Sequence, residues 1–140
     1  RLYRFRGGML EQVTLDHSVV QELVSRGLVT AEEARMSVNK NLVTRALGVD
    51  ASVVPDIGEQ TLNDEDIYLL CSDGLNDVLA DGDIEMMLIE YGRNLEAAAR
   101  RMVDIANERG GPDNISVILV RANRGFARDQ ETLQKLRAQV

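Results

Sequence analysis

Polar and apolar residues alternate through Arg1–Phe5 and again through Met9–Val13, with Gly7-Gly8 between them. That period of two, broken by a turn, predicts a β-hairpin. The rhythm then changes. Val19, Val20, Leu23 and Val24 recur at helical spacing with Gly27 as a stop, and Thr30 stands three positions before Glu33, the spacing of a capping box. Two short helices are expected, the second over about residues 31–36. Residues 37–41 are polar and aperiodic and read as loop, while residues 52–62 carry a weak strand signal containing Pro55, which points to an edge or a strand start. The unbroken apolar run Ile67–Cys71 is bounded by Asn63-Asp64-Glu65-Asp66 and Ser72-Asp73-Gly74, so it reads as a strand buried on both faces. Two striped helices follow. One carries Ile84, Met87, Leu88 and Tyr91 with Asp81 as its N-cap; the other carries Leu95, Ala98, Ala99, Met102, Val103 and Ala106 after Asn94. Gly110-Gly111 and Pro112 end the second, a further buried strand is expected over Ile115–Val120, and the charged residues 122–140 read as a surface helix or linker.

Composition narrows the function classes. A chain of 140 residues, 44% of them hydrophobic, supports one packed core. Its 16 basic and 23 acidic residues leave a net charge of -7, which repels nucleic-acid phosphates and anionic membranes. The single Cys71 makes no internal disulfide and joins no zinc-type cluster, in keeping with a reducing, cytoplasmic compartment. No apolar run is long enough to span a bilayer. The opening residues look like the middle of a strand rather than a natural start, so a longer parent chain is expected.

The candidate chemistry sits at strand ends. Asp73 follows one buried run and Asp113 precedes the other; if those strands pair antiparallel, both aspartates share one edge of the sheet. Convergent carboxylates of this kind suit Mg²⁺ or Mn²⁺, and Gly74 and Gly111 would let the backbone approach an ion or turn sharply. The same residues are also ordinary turn and cap formers, so spacing alone leaves both readings open.

Four blocks in order bear on that choice: Asp16–Ser18 (DHS), Asn41–Gly48 (NLVTRALG), Tyr68–Asp77 (YLLCSDGLND) and Gly110–Val120 (GGPDNISVILV). Together they resemble the metal-dependent PP2C (PPM) family of serine/threonine protein phosphatases, bacterial type, over about residues 1–121. The resemblance implies an α+β fold, part of an antiparallel β-sandwich flanked by helices, of which this chain would be the C-terminal portion. It implies that Asp73 and Asp113 are metal ligands, with Gly74 and Asn114 in support, at a centre that is binuclear in Mn²⁺ or Mg²⁺ in the complete domain. Residues 19–41 would correspond to the flap of bacterial relatives, and Arg45 is a candidate substrate-phosphate contact. The family's remaining acidic ligands would lie upstream of Arg1, leaving this chain an incomplete and, alone, inactive catalytic unit.

Two other residues invite assignments. His17, the one histidine, does not align with the family's catalytic histidine and reads as a hydrogen-bonding structural residue. Cys71 lies in an apolar strand without a neighbouring cation and reads as inert. The resemblance implies hydrolysis of phosphoserine and phosphothreonine in proteins, with phosphoprotein substrates that include a cognate kinase and its targets. The alternatives are a non-catalytic pseudophosphatase or interaction module, and a fragment that reassembles with a separate N-terminal piece.

Overall fold

The computed structural model describes residues 1–39, 42–46, 48 and 52–123, without the side chains of residues 31 and 35. Chain contacts divide it into two units, residues 15–59 and the remainder.

The larger unit is built on the expected hairpin. Strands β1 (Leu2–Arg6) and β2 (Met9–Gln12) pair with Arg6 opposite Met9, and Gly7 and Gly8 take φ of +58° and +85°. A two-residue turn with positive φ at both positions matches the twist of a hairpin, and glycine alone adopts it without steric cost. Strand β3 (Ile67–Cys71) pairs with β1, and β4 (Val117–Arg121) with β3, giving an antiparallel four-stranded sheet in the order β2-β1-β3-β4. The first strand of the chain is thus an inner strand of the sheet.

Helices α1 (Val19–Ser25) and α2 (Ala31–Met36) belong to the smaller unit, and three more lie between β3 and β4 in sequence: α3 (Asp73–Asn76), α4 (Asp81–Tyr91) and α5 (Leu95–Glu108). Helix α5 begins as expected, with the Asn94 side chain accepting from the Ala97 amide. It ends at Gly110 and Gly111, which take φ of +112° and +47° and donate to the carbonyls of Asn107 and Ala106. The core joins sheet to helices: Tyr3 and Leu69 from the sheet, Leu75 and Leu79 after β3, Ile84 and Leu88 from α4, and Met102 and Ala106 from α5. Burying such side chains contributes about 1.5–3 kcal/mol each for the larger ones. Arg109, at the end of α5, donates to the Val78 carbonyl at 2.8 Å and to Asp83 at 2.6 Å, tying α5 to the start of α4.

The sequence expectations need four corrections here. Residues 52–62 form no strand; of those described, none alternates between buried and exposed, and Pro55 removes a ladder donor. Strand β3 is buried on both faces only over its first three residues, Ile67, Tyr68 and Leu69; beyond them Leu70 is 43% exposed. Strand β4 starts at Val117 rather than Ile115 and exposes Ile118 and Val120. The N-cap of α4 is Ala80, not Asp81; Asp83 accepts from the Ala80 amide, and Asp81 instead accepts from the buried Tyr3 hydroxyl. Burial pushes the Tyr3 phenol up to about 12, which keeps that donor protonated.

The smaller unit holds α1 (Val19–Ser25) and α2 (Ala31–Met36). Ser18 caps α1 through the Gln21 amide, and Thr30 and Glu33 form the expected capping box on α2. The charged tail expected over residues 122–140 lies, beyond residue 123, outside the described residues, as do Asn41 and Leu47 of the second motif block. No helix among the described residues is long and apolar enough to cross a membrane.

Candidate metal centre

Antiparallel pairing puts Cys71 opposite Val117, so the end of β3 and the approach to β4 meet at one edge of the sheet. Each bears one of the expected aspartates. Asp73 opens α3 and its Oδ1 accepts from the Gly74 amide at 3.0 Å; Asp113 lies before β4 and its Oδ1 accepts from the Asn114 amide at 2.6 Å. Both side chains are exposed. In each, the local bond takes one lone pair of one carboxylate oxygen, leaving acceptor capacity for an ion or water.

The two corners are joined by a seam. Ser72 donates from Oγ to the Asn114 carbonyl at 2.8 Å and accepts at the same oxygen from the Ser116 amide at 2.9 Å. Its backbone amide donates to the Ser116 carbonyl at 3.1 Å. Gly74 closes the contact from the other side: a Cβ there would overlap the Asn114 carbonyl oxygen and stand 3.2 Å from that of Asp113. Glycine is required by this close approach, not by its dihedral angles. The backbone segments Asp73-Gly74 and Asp113-Asn114 are therefore in contact. Ser72 was missed; its only signal was a hydroxyl beside Asp-Gly at a strand end.

The donor set fits a hard divalent cation only in part. Two exposed carboxylates suit Mg²⁺ or Mn²⁺, which keep several waters when few protein oxygens bind them. Among the described residues, no group of three or more Asp, Glu, His or Cys side chains is placed to hold a metal. Further ligands would have to come from elsewhere.

Arg45 and His17 belong to a different cluster in the smaller unit. Arg45 Nη1 donates to Asp56 at 2.8 Å and to the Val54 carbonyl at 3.1 Å, and His17 Nε2 lies 2.6 Å from the other Asp56 oxygen. The Arg45 guanidinium first, and His17 second, hold the Asp56 carboxyl below the usual carboxylate range. His17 thus has the hydrogen-bonded role expected of it, and Arg45 is ion-paired. Asp56 was missed by sequence reasoning, where it appeared only as the residue after Pro55. Cys71 is half-buried, with Sγ 3.8 Å from the Asn76 side-chain oxygen.

No family model matches the chain. Individual proteins do. It is 37% identical over 123 residues to the serine/threonine phosphatase stp of Listeria innocua, a match covering 88% of this chain and 48% of that protein. It is 37% identical over 108 residues to a putative protein phosphatase 2C-type of Streptococcus pyogenes, covering 77% and 44%. A solved structure of the catalytic domain of the serine/threonine protein phosphatase PstP, in complex with two manganese ions, superposes with a TM-score of 0.72 at 37% identity, covering 85% of this chain and 48% of that one. The chain spans about half the length of the relatives it matches. With the four-stranded antiparallel sheet, its helices and the paired acidic corners, these matches show that the chain belongs to the PP2C-type (PPM) family of serine/threonine protein phosphatases.

Proposed function

We propose that this chain supplies the Asp73 and Asp113 side of a divalent-metal centre in an enzyme that hydrolyses phosphoserine and phosphothreonine in proteins. The observation that carries the reading is the seam from Ser72 to Asn114 and Ser116, which ties both aspartates to one sheet edge. Mn²⁺ is favoured as the metal by the manganese-bound PstP structure, and Mg²⁺ shares its preference for carboxylate oxygen. When bound, such an ion supplies Lewis acidity toward water and toward the phosphoryl oxygens of the substrate. The chain's own contribution is to orient: Asp73 is fixed by the first turn of α3, and Asp113 by its bond to the Asn114 amide. Two carboxylates hold Mg²⁺ or Mn²⁺ weakly, so efficient turnover requires ligands that the relatives' other half would provide.

Phosphoproteins are the substrates in this reading, a partner kinase and its targets among them, in the cytoplasm. Residues 19–41, with two short helices beside loops, act as the flap that selects among them. Hydrolysis of an aryl phosphate with added Mn²⁺ tests the proposal, comparing the 140-residue chain with one extended at its N-terminus. Activity is expected only in the extended chain. Equal turnover by both would refute incompleteness, and no turnover by either would refute the enzyme. A non-catalytic interaction module is the second reading, favoured by the exposed apolar Leu70, Ile118 and Val120 and by the absence of a third metal-capable group among the described residues.

A further inference from the structure

The sequence around Ser72 predicts a simpler use for its side chain than the one it has. Ser72 is the N-cap of α3, where a serine hydroxyl ordinarily accepts from an amide in the first helical turn. It makes no such bond. Its Oγ is instead turned toward the chain leading into β4, donating to the Asn114 carbonyl and accepting from the Ser116 amide. The residues so gripped, 114 and 116, lie just after Asp113; the residue that grips them lies just before Asp73.

We propose that Ser72 is a positioning residue for the divalent-metal centre, setting the separation of Asp73 and Asp113 by clamping the two backbone segments that carry them. The inference rests on the metal-centre reading above. The clamp has three bonds through one residue: two at the hydroxyl and one at the backbone amide, which donates to the Ser116 carbonyl. Removing the hydroxyl deletes two and keeps the ladder-like third. The Asp113 segment is then held at Ser72 by one bond instead of three, with none to Asn114, while β3 and β4 stay paired through their five-residue register. Gly74 limits how the segments can readjust, because the Asn114 carbonyl already occupies the space beside its Cα. Ser72 touches neither metal nor substrate in this assignment. Its effect passes through the backbone at Asn114, as with other groups that orient metal ligands from behind.

The test is Mn²⁺ binding by the N-terminally extended chain, read from the paramagnetic resonance signal of free Mn²⁺ and independent of turnover. Ser72→Ala should weaken Mn²⁺ affinity by about tenfold, the lower end of what is usual for residues that orient metal ligands. Ser72→Thr, which keeps the hydroxyl, should restore most of it. The melting temperature of metal-free Ser72→Ala should stay close to that of the parent; if it does not fold, Ser72→Cys, of similar shape but a poor hydrogen-bonding group, takes its place. Asp73→Asn serves as the control. If Asp73→Asn loses Mn²⁺ while Ser72→Ala, or Ser72→Cys in its place, binds like the parent, the positioning role is overturned and the metal centre stands. A lowered melting temperature with unchanged Mn²⁺ affinity also overturns it. If Asp73→Asn binds Mn²⁺ like the parent, the metal centre itself fails.

Discussion

The two faces of the sheet are made of similar residues and meet different surroundings. Tyr3 and Leu69 stand opposite each other on the face that meets the helices, and both are completely buried. One position along the same strands, Leu70 pairs with Leu2 on one side and Ile118 on the other, and there Leu70 is 43% and Ile118 59% exposed. Val120 beside them is also exposed. Hydrophobicity at a strand position records what the face can bury, whereas accessibility records what covers it. The second face sets Leu70, Ile118 and Val120 beside Arg4 and Arg6 of β1, and at its rim Arg6 donates to both oxygens of Asp66 at 2.7 and 2.6 Å. Arg4 pairs with Glu11 on the same face.

The largest effect that separates the faces is expected at Leu69. Leu69→Ala should cost about 3 kcal/mol, the usual range for deleting a buried leucine, read as a lowered midpoint in urea unfolding. A loss under 1 kcal/mol would mean that the helix face is not the core.

The rim pair comes next. Asp66 is buried, and its hydrogen bonds from Arg6 first, and from the Asn63 amide, hold its carboxyl below the ordinary value near 3.9. A depressed folded-state value means that the contribution is present at neutral pH and is lost as pH falls below about 4. Asp66→Asn should destabilise less than Leu69→Ala at pH 7, and the two proteins should converge in stability under acid. Parallel stability curves across that range would show that the carboxylate does not anchor the open face.

The smallest effect is expected at Ile118. In the 140-residue chain, Ile118→Thr should change unfolding free energy by no more than about 0.5 kcal/mol, as for ordinary surface positions. In an N-terminally extended chain the same substitution should cost more if added structure covers this face. An equal, small change in both would leave the face solvent-exposed and favour the interaction-module reading.

The comparison also shows what could be read in advance. The hairpin was legible because alternation and a Gly-Gly turn agree, and α5 because its stripe, its Asn94 cap and its glycine stop agree. The sharing of one sheet edge by the segments that bear Asp73 and Asp113 was legible on the condition that the apolar runs they flank pair antiparallel, as β3 and β4 do. The open face was not legible, since an apolar run reads the same whether or not anything covers it. Helix α3 has four residues, too few to show a helical period. The clamp at Ser72 escaped notice because its partners are remote in sequence and are backbone atoms, which residue identity does not reveal. Residues 52–62 misled because isolated apolar side chains such as Val54 and Ile57 resemble a strand but remain exposed.

The placement of β1 between β2 and β3 has a kinetic consequence. Its pairing with β2 crosses a two-residue turn, an event of microseconds. Its pairing with β3 joins Leu2 to Leu70 and must wait until everything between them has been looped out. A refolding chain should therefore form the hairpin early and complete the inner ladder late. Because closure entropy grows only with the logarithm of loop length, doubling the intervening segment would cost about 0.6 kcal/mol, so residues 15–59 can be lengthened or trimmed with little penalty to the stability of the sheet.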